Sequence, residues 1–294
     1  MPSYLTERPI TIEIRNSHGE VSVELTDTEM TTVTVTAVAG HPFGFLDDLL
    51  TSLPGAWRRT SGRPPDGVAA AEAVRVDYEL IPGDGGLLLV DTQPAVHNWR
   101  AAFAIAITAP SGSGVRVQSQ SADVTVTGTA GLADLRTTSG DVTVGTVTGT
   151  SRVHSASGDI RLTRADADVD LRTASGDLTI GRVAGKARVH STSGDISLDA
   201  AAGDIDVRSV SGDVRIGAAS TGMAQIAAVS GDVEIGVTAG RRATIDLNTI
   251  SGDTRTDFPV SAEPAADLDE PETAAPLTIS VRTTSGDIRL CRAA

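Results

Sequence analysis

The triplet Ser-Gly-Asp recurs along the second half of the chain at a fixed distance. It begins at residues 139, 157, 175, 193 and 211, an unbroken spacing of 18 residues. A degenerate copy, Ser-Ala-Asp, begins at residue 121, and later copies begin at residues 230, 251 and 285. Self-similarity at a fixed period of this length is typical of stacked repeats, in which each copy covers the apolar surface of its neighbours. The spacing therefore predicts a repeat architecture.

Each repeat contains two short strands with one buried face. In the copies from residue 121 to residue 230, an aliphatic residue stands one and three positions after the Asp, with a polar residue between them, as in Ile160-Arg161-Leu162. A second aliphatic column lies four positions before the Ser, as at Val153. Alternation with period two indicates a half-buried strand. Each repeat is therefore a strand, a turn at the triplet, a second strand and a return loop.

Such repeats could form hairpins side by side or the coils of a β-solenoid, and the charge pattern favours a solenoid with coils of 18 residues. Five positions before each Ser the charge alternates strictly in sign: Arg116, Asp134, Arg152, Asp170, Arg188 and Asp206. In an 18-residue coil, equivalent positions stack about 4.8 Å apart and every neighbour is an opposite charge, whereas a 36-residue coil would stack like charges. Two unit charges at this distance interact by roughly 1 kcal/mol in water. We predict an all-β fold, a single-stranded parallel β-solenoid with 18-residue coils, right-handed like most parallel crossovers.

The chain divides into two predicted regions. Residues 1–114 have strand patterns without the strict period, and we expect them to begin the same solenoid or a sheet continuous with it. Residues 115–294 form the repeat solenoid. An acidic, proline-rich segment at 256–277 is predicted to be a loop between the last two coils, and the coil after it is expected to close the stack.

A helical segment is predicted at about 41–66 in the first region. Phe45 and Leu49 fall on one helical face with Leu46, Leu50 and Leu53, and Trp57 follows just beyond. One interpretation is a helical cap that covers the solenoid or its open end. The other is a docking helix for a partner, supported by flanking arginines.

Composition excludes several classes of protein. A net charge of −14 argues against nucleic acid, whose phosphates require Lys and Arg. The single cysteine, Cys291, excludes an intramolecular disulfide and a zinc site built from cysteines. The N-terminus lacks the pattern of a signal peptide, and the longest apolar run, Ala101–Ala109, is too short to span a bilayer. We expect a cytoplasmic protein without a membrane span.

Histidine and arginine alternate three positions before the Ser of successive repeats. The column comprises Arg136, His154, Arg172, His190 and Arg208. In one interpretation, neutral histidines separate arginines that would otherwise repel one another. In the other, the column binds an anion or a carbohydrate.

The aspartates of the triplets form a second column of candidates: Asp141, Asp159, Asp177, Asp195 and Asp213. A carboxylate in a sharp turn can accept hydrogen bonds from the backbone, and the glycine before it allows the unusual φ that such a turn needs. The alternative is a ladder of cation sites in a cation-stabilised β-roll. Such rolls use a denser Gly/Asp nonapeptide, which is absent here.

No catalytic constellation stands out in the sequence. Carbohydrate-active β-helix enzymes place clustered charged residues beside aromatic side chains that stack on sugars. Between Val115 and Gly240 there is no Trp, Tyr or Phe. We therefore expect no enzymatic activity and no cofactor, with a carbohydrate-active β-helix enzyme as the alternative.

Four repeats carry a resemblance to a known family. The segments TTSGDVTVG, SASGDIRL, TASGDLTIG and SVSGDVRIG resemble the bacterial putative-adhesin family, as do NSHGEVSVE and AIAITAP upstream of them. The resemblance implies a single-stranded β-solenoid. The leading hypothesis is a non-enzymatic binding or scaffolding protein whose partner is a protein or a glycan.

Overall fold

The structure is a computed structural model, and it describes residues 2–38, 75–79, 85–92, 102–238, 243–258 and 277–293. The helical segment predicted at 41–66, with Phe45, Leu49 and Trp57, lies outside the described residues. Most of the acidic segment predicted at 256–277 also lies outside them.

All regular secondary structure in the described ranges is β-strand, and the strands form one continuous hydrogen-bonded sheet. The all-β prediction is confirmed. The strands are β1 (Ser3–Leu5), β2 (Thr11–Thr26), β3 (Met30–Val38), β4 (Arg75–Glu79), β5 (Leu87–Asp91), β6 (Ala102–Pro110), β7 (Gly114–Ala130), β8 (Leu132–Ser139), β9 (Val142–Val147), β10 (Ser151–Ser157), β11 (Ile160–Ala165), β12 (Val169–Ser175), β13 (Leu178–Val183), β14 (Ala187–Ser193), β15 (Ile196–Ala201), β16 (Ile205–Ser211), β17 (Val214–Ala219), β18 (Gly222–Ser230), β19 (Val233–Val237), β20 (Ala243–Ser251), β21 (Thr254–Thr256), β22 (Leu277–Ser285) and β23 (Ile288–Arg292).

The repeats form a parallel solenoid with one coil per 18 residues. In the coil made by β12 and β13, Leu171 is in register with Val153 of β10 and with Val189 of β14. The alternating charges follow the same register, so that Asp170 lies between Arg152 and Arg188. This arrangement confirms the coil length that the charge pattern predicted. The hand of the solenoid stays a prediction.

The core is a stack of aliphatic layers closed at one corner by hydroxyl groups. Leu171, Ile180 and Val183 are fully buried and represent the inward positions of each coil. Two positions before the Ser of the triplet, a buried hydroxyl donates to the backbone carbonyl of that Ser at 2.8–3.3 Å. These donors are Thr137, Ser155, Thr173, Ser191, Ser209 and Thr283. Since each hydroxyl has a partner, its burial carries no desolvation penalty from an unmade hydrogen bond.

The turn needs glycine both for its φ and for space. Gly176 has a φ of 115°, and a Cβ atom there would lie 2.3 Å from the carbonyl oxygen of Gly158 in the preceding coil. The same geometry occurs far upstream at Gly19, with a φ of 119°. His18, Gly19 and Glu20 are in register with Ser121, Ala122 and Asp123. The segment NSHGEVSVE is therefore a repeat turn, as its resemblance predicted.

The N-terminal strands continue the stack but not in chain order. One edge of β2 pairs in parallel with β7, and its other edge pairs with β5 and then with β6. The coil formed by β2 thus lies between the β5 and β6 strands and the first repeat. On the outer side, β3 and β4 run antiparallel to β6 and β5, and β1 runs antiparallel to β3. The hydrogen-bonded sheet is therefore continuous across the predicted boundary at residue 114.

The C-terminal coil lies inside the stack. β22 pairs with β18 on one edge and with β20 on the other, and β23 pairs with β19 and β21 in the same way. Residues 277–293 are thus inserted between the coils of residues 222–237 and 243–258. The prediction that the last coil in the sequence closes the stack was wrong.

The core positions of the two coils explain this order. Where the repeats have buried aliphatic residues after the turn, the C-terminal coil has Ile288 and Leu290, both fully buried. The coil of residues 243–258 has Thr254 and Thr256 there, and both are exposed. An inner coil is covered on both sides, so threonine hydroxyls would lose water there without gaining partners. The more apolar coil therefore takes the inner place, and the more polar one forms the end.

The coil order can be tested with engineered disulfides in a Cys291→Ser background. Neighbouring parallel strands lie about 4.8 Å apart, a Cα separation that a disulfide can span. Strands two coils apart are separated by about twice that distance, which a disulfide cannot span. We expect Gln225→Cys with Ser280→Cys to cross-link on mild oxidation, because these residues are in register. Gln225→Cys with Asp246→Cys is the control pair, because these two residues would be neighbours only if the coils followed one another in chain order. Efficient cross-linking of that second pair, with none of the first, would contradict the inserted coil.

Candidate binding face

The five predicted arginine and histidine side chains lie in one column on the outer face of the strands that precede the turns. Arg136, His154, Arg172, His190 and Arg208 are consecutive register partners. They alternate with the buried residues of the same strands, so all of them point away from the core.

The column extends at both ends beyond the predicted residues. Arg15 and Gln118 precede Arg136 in register, and Ala227 and Arg282 follow Arg208. We call the set the arginine column: Arg15, Gln118, Arg136, His154, Arg172, His190, Arg208, Ala227 and Arg282. Within it an arginine occurs at every second coil. Sequence reasoning missed Arg15 and Arg282, although both lie three positions before the first residue of a turn triplet.

An adjacent outer column carries the alternating charges. Its acidic residues hold the arginines along the strand, since Arg172 contacts Asp170 at 3.0 Å, Arg136 contacts Asp134 at 3.6 Å and Arg208 contacts Asp206 at 3.5 Å. Glu13 and Arg15 form the same pair at 2.7 Å. The arginines are half-exposed, so such pairs add little to stability. Their effect is to orient each guanidinium group on the surface.

His154 is neutral between two arginines. Its Nε2 atom is buried without a hydrogen-bond partner among the described residues. Burial lowers the pKa of His154, and Arg172 and Arg136 lower it further against the opposing effect of Asp170 and Asp134. The side chain therefore separates the flanking guanidinium groups without adding a charge at neutral pH.

A recess lies in the arginine column at Ala227, because its methyl group leaves space that a longer side chain fills in the other coils. Its volume is about 240 Å³. Arg208 and Arg282 flank it from the coils on either side, and Asp206, Gln225 and Ser280 contribute polar groups to its lining. Ser280 stands where the other arginine-bearing coils have an acidic residue, so Arg282 lacks a carboxylate two positions before it on its strand.

The turn aspartates form a continuous hydrogen-bonded ladder. In each coil the Oδ1 atom accepts a hydrogen bond from the backbone N–H of the Asp in the next coil, at 2.8–3.0 Å. The ladder runs through Asp123, Asp141, Asp159, Asp177, Asp195, Asp213, Asp232, Asp287 and Asp253, which is the inserted coil order. In the part of the chain that the structure describes, no group of three or more His, Cys, Asp or Glu residues could hold a metal ion.

The opposite outer face, on the strands that follow the turns, has a different charge arrangement. A recess of about 320 Å³ there is lined by Arg215, Arg255 and Arg289 together with Glu234 and turn aspartates. Arg215 contacts Glu234 at 3.0 Å. Burial and the nearby Glu234 raise the pKa of the Cys291 thiol, so it is protonated at neutral pH. Acidic and basic residues are mixed on this face, and its arginines do not recur at every second coil.

A family model agrees with the repeat architecture. The model described as Toastrack DUF4097 matches residues 104–183 and 166–291, which together make up more than half of the chain. The chain belongs to the Toastrack DUF4097 family. This match confirms the family resemblance that the repeats carry. None of the curated proteins matches this Toastrack chain.

Three solved structures are similar to this Toastrack chain over nearly its whole length. A putative adhesin from Bacteroides fragilis is 14% identical with a TM-score of 0.46, covering 98% of this chain and 95% of that one. A putative adhesin from Parabacteroides distasonis is 10% identical with a TM-score of 0.43, covering 98% and 96%. A putative cell adhesion protein from Clostridium sporogenes is 9% identical with a TM-score of 0.25, covering 99% and 98%.

The described residues of this Toastrack chain include no helix that is long and apolar enough to cross a membrane.

The aspartate ladder can be tested at Asp177, whose Oδ1 accepts the N–H of Asp195. Asp177→Ala leaves this N–H without its partner, and we expect it to lower the free energy of unfolding by about 1 kcal/mol. Asp177→Asn keeps an Oδ1 acceptor and removes a stacked charge, so its stability should equal or exceed that of the wild type. Thermal unfolding of the three proteins measures the difference. Equal stability of the Ala and wild-type proteins would contradict a stabilising ladder.

The environment of His154 predicts a pH dependence of stability. Burial and the flanking arginines hold the pKa of His154 in the folded state below its ordinary value of 6.5. The unfolded chain thus binds a proton at a pH where the folded chain does not. Stability is therefore lost as the pH falls through and below about 6.5. Relative to His154→Gln, the wild-type melting temperature should fall between pH 7.5 and pH 5.5. A difference between the two proteins that does not change with pH would contradict the lowered pKa.

Proposed function

We propose that this protein is a non-enzymatic binding protein that holds an extended partner, a protein or a glycan, along the arginine column. The observation that carries the proposal is the recurrence of the same outward guanidinium group at every second coil. Adhesion, the role named for the three solved structures, is one form that such binding can take.

A solenoid face suits this function because its geometry is fixed by the backbone. Each coil is hydrogen-bonded to its neighbours in register, so the outward groups stand at constant intervals and need little ordering when a partner binds. Binding a pre-organised surface costs less conformational entropy than binding a flexible one. A row of weak contacts at regular spacing also adds up along a polymer.

The arrangement of charge supports binding more than catalysis. Catalysis requires a few groups that converge on one bond at hydrogen-bonding distance. On the strands that carry the arginine column, a motif of acid, apolar residue and arginine recurs instead. Its copies are Glu13 to Arg15, Asp134 to Arg136, Asp170 to Arg172 and Asp206 to Arg208. A repeated motif matches a repeated ligand.

The proposal can be tested with two variants that each replace four arginines by glutamine, one on each of the two outer faces. The column variant is R136Q/R172Q/R208Q/R282Q. The opposite-face variant is R161Q/R164Q/R182Q/R215Q, whose arginines are similarly exposed and partly ion-paired. Immobilised wild type and both variants are probed with arrays of glycans and purified cell-envelope polymers and proteins. We expect a ligand that the wild type and the opposite-face variant retain and the column variant loses at least tenfold.

Two results would contradict the proposal. One is equal retention of every ligand by the two variants, and the other is the absence of any ligand for the wild type. Each retained glycan is also recovered and analysed for new reducing ends. Cleavage by the wild type would establish the carbohydrate-active alternative in place of a binding protein.

A further inference from the structure

We propose that the ligand of the arginine column is an extended acidic polysaccharide that carries one carboxylate per disaccharide. This inference rests on the proposed function and specifies the chemistry of the partner. It follows from the spacing of the arginines, the net charge of each pair of coils and the recess at Ala227.

The spacing of the arginines fits a disaccharide repeat. Successive coils lie about 4.8 Å apart, so arginines at every second coil recur at about 9.6 Å. Extended polysaccharides with equatorial linkages repeat every disaccharide at nearly this length. An extended peptide strand would instead present the side chains of one face at intervals of about 6.8 Å, out of phase with the arginines.

The charge of the face matches one carboxylate per disaccharide. In the pair of coils formed by β12 and β14, Asp170 balances Arg172, and His190 accompanies Arg188. Counting only Asp and Arg, this pair of coils carries one uncompensated positive charge, and so does the pair formed by β8 and β10. Such pairs recur about every 9.6 Å. The pair formed by β16 and β18 has Gln225 in place of the second arginine and carries no net charge. The chain as a whole has a net charge of −14. A polymer with two carboxylates per disaccharide would therefore be repelled, because the face can balance only one of them.

The acids beside the arginines favour a sugar over an acidic peptide. Asp134, Asp170 and Asp206 keep about a quarter or a fifth of their side-chain surface exposed. Sugar hydroxyls can donate to these carboxylates while a uronate accepts from the adjacent guanidinium. The side chains of an acidic peptide bring only acceptors. A polyproline II peptide has a similar length per turn, about 9.3 Å, and is therefore included as a competing probe.

The recess at Ala227 is the anchoring point. Arg208 and Arg282 lie in the coils on either side of Ala227, and Gln225 and Ser280 add neutral polar groups. Asp206 also lines the recess, and its carboxylate is paired with Arg208. Ser280 replaces the acid on the strand of Arg282, and the carboxylate that follows it in register is Asp246 of the neighbouring coil. Arg282 is in phase with Arg208 only because the C-terminal coil is inserted before the coil of residues 243–258.

The test measures binding of a hyaluronan octasaccharide, which has one carboxylate per disaccharide, by isothermal titration calorimetry at low and physiological salt. An octagalacturonate, a neutral chitin oligosaccharide and an acidic Glu-Pro-Pro repeat peptide are the comparison probes. We expect the wild type to bind the hyaluronan oligosaccharide at least tenfold more tightly than the other three. Arg282→Gln should weaken that binding about threefold to tenfold, as the loss of one ordinary hydrogen bond does, because the guanidinium group lies on the solvent-exposed face.

A charge-neutral variant tests the spacing itself. R172H/H190R keeps the composition and moves one arginine by one coil, which breaks the two-coil period. It should weaken binding about as much as Arg172→Gln, while the opposite-face variant binds like the wild type. Circular dichroism and melting temperature show that each variant is folded.

The outcomes separate this inference from the function on which it rests. Unchanged binding by R172H/H190R, or preference for the galacturonate or the peptide, overturns the one-carboxylate spacing. If the arrays yield another ligand that the column variant loses, and the hyaluronan oligosaccharide does not bind, then the proposed function stands and the polysaccharide inference fails. If no ligand depends on the column, both fail.

Discussion

The structure depends on the contact between turns of successive coils. At each Ser-Gly-Asp triplet, a glycine with positive φ lets one turn approach the carbonyl oxygen of the turn before it. The following Asp then accepts the backbone N–H of the next turn. This pair of requirements aligns one corner of every coil with its neighbour. Since side chains alternate along a strand, one aligned corner sets the register of both strands in the coil.

Register converts a repeat in the sequence into a pattern on the surface. The inward columns become a continuous aliphatic core, closed at the corner by hydroxyls such as Thr173 and Ser191 that bond to the backbone. The outward columns on the strands that precede the turns become rows of charge with a period of two coils. The same hydrogen bonds that hold the core thus fix the intervals at which the arginine column can meet a ligand.

The ends of the stack follow a different rule from its middle. In the middle, chain order and spatial order agree because each coil has equivalent core residues. At the C-terminal end, the coil with Ile288 and Leu290 is buried and the coil with Thr254 and Thr256 is outermost. At the N-terminal end, β2 is likewise enclosed, with Ile12 and Ile14 fully buried. Apolar content decides which segment is covered on both sides.

The sequence by itself determined the coil length, the turn, the inward columns and the five central residues of the arginine column, because all of these depend on local spacing and on contacts between equivalent positions. The functional use of those residues, and the roles of Phe45, Leu49 and Trp57, stay predictions. Only the tertiary structure decided the order of the last two coils, since that order compares the burial of segments far apart in the chain. With that order it also decided that Arg282 continues the two-coil period, a placement that no local spacing could predict.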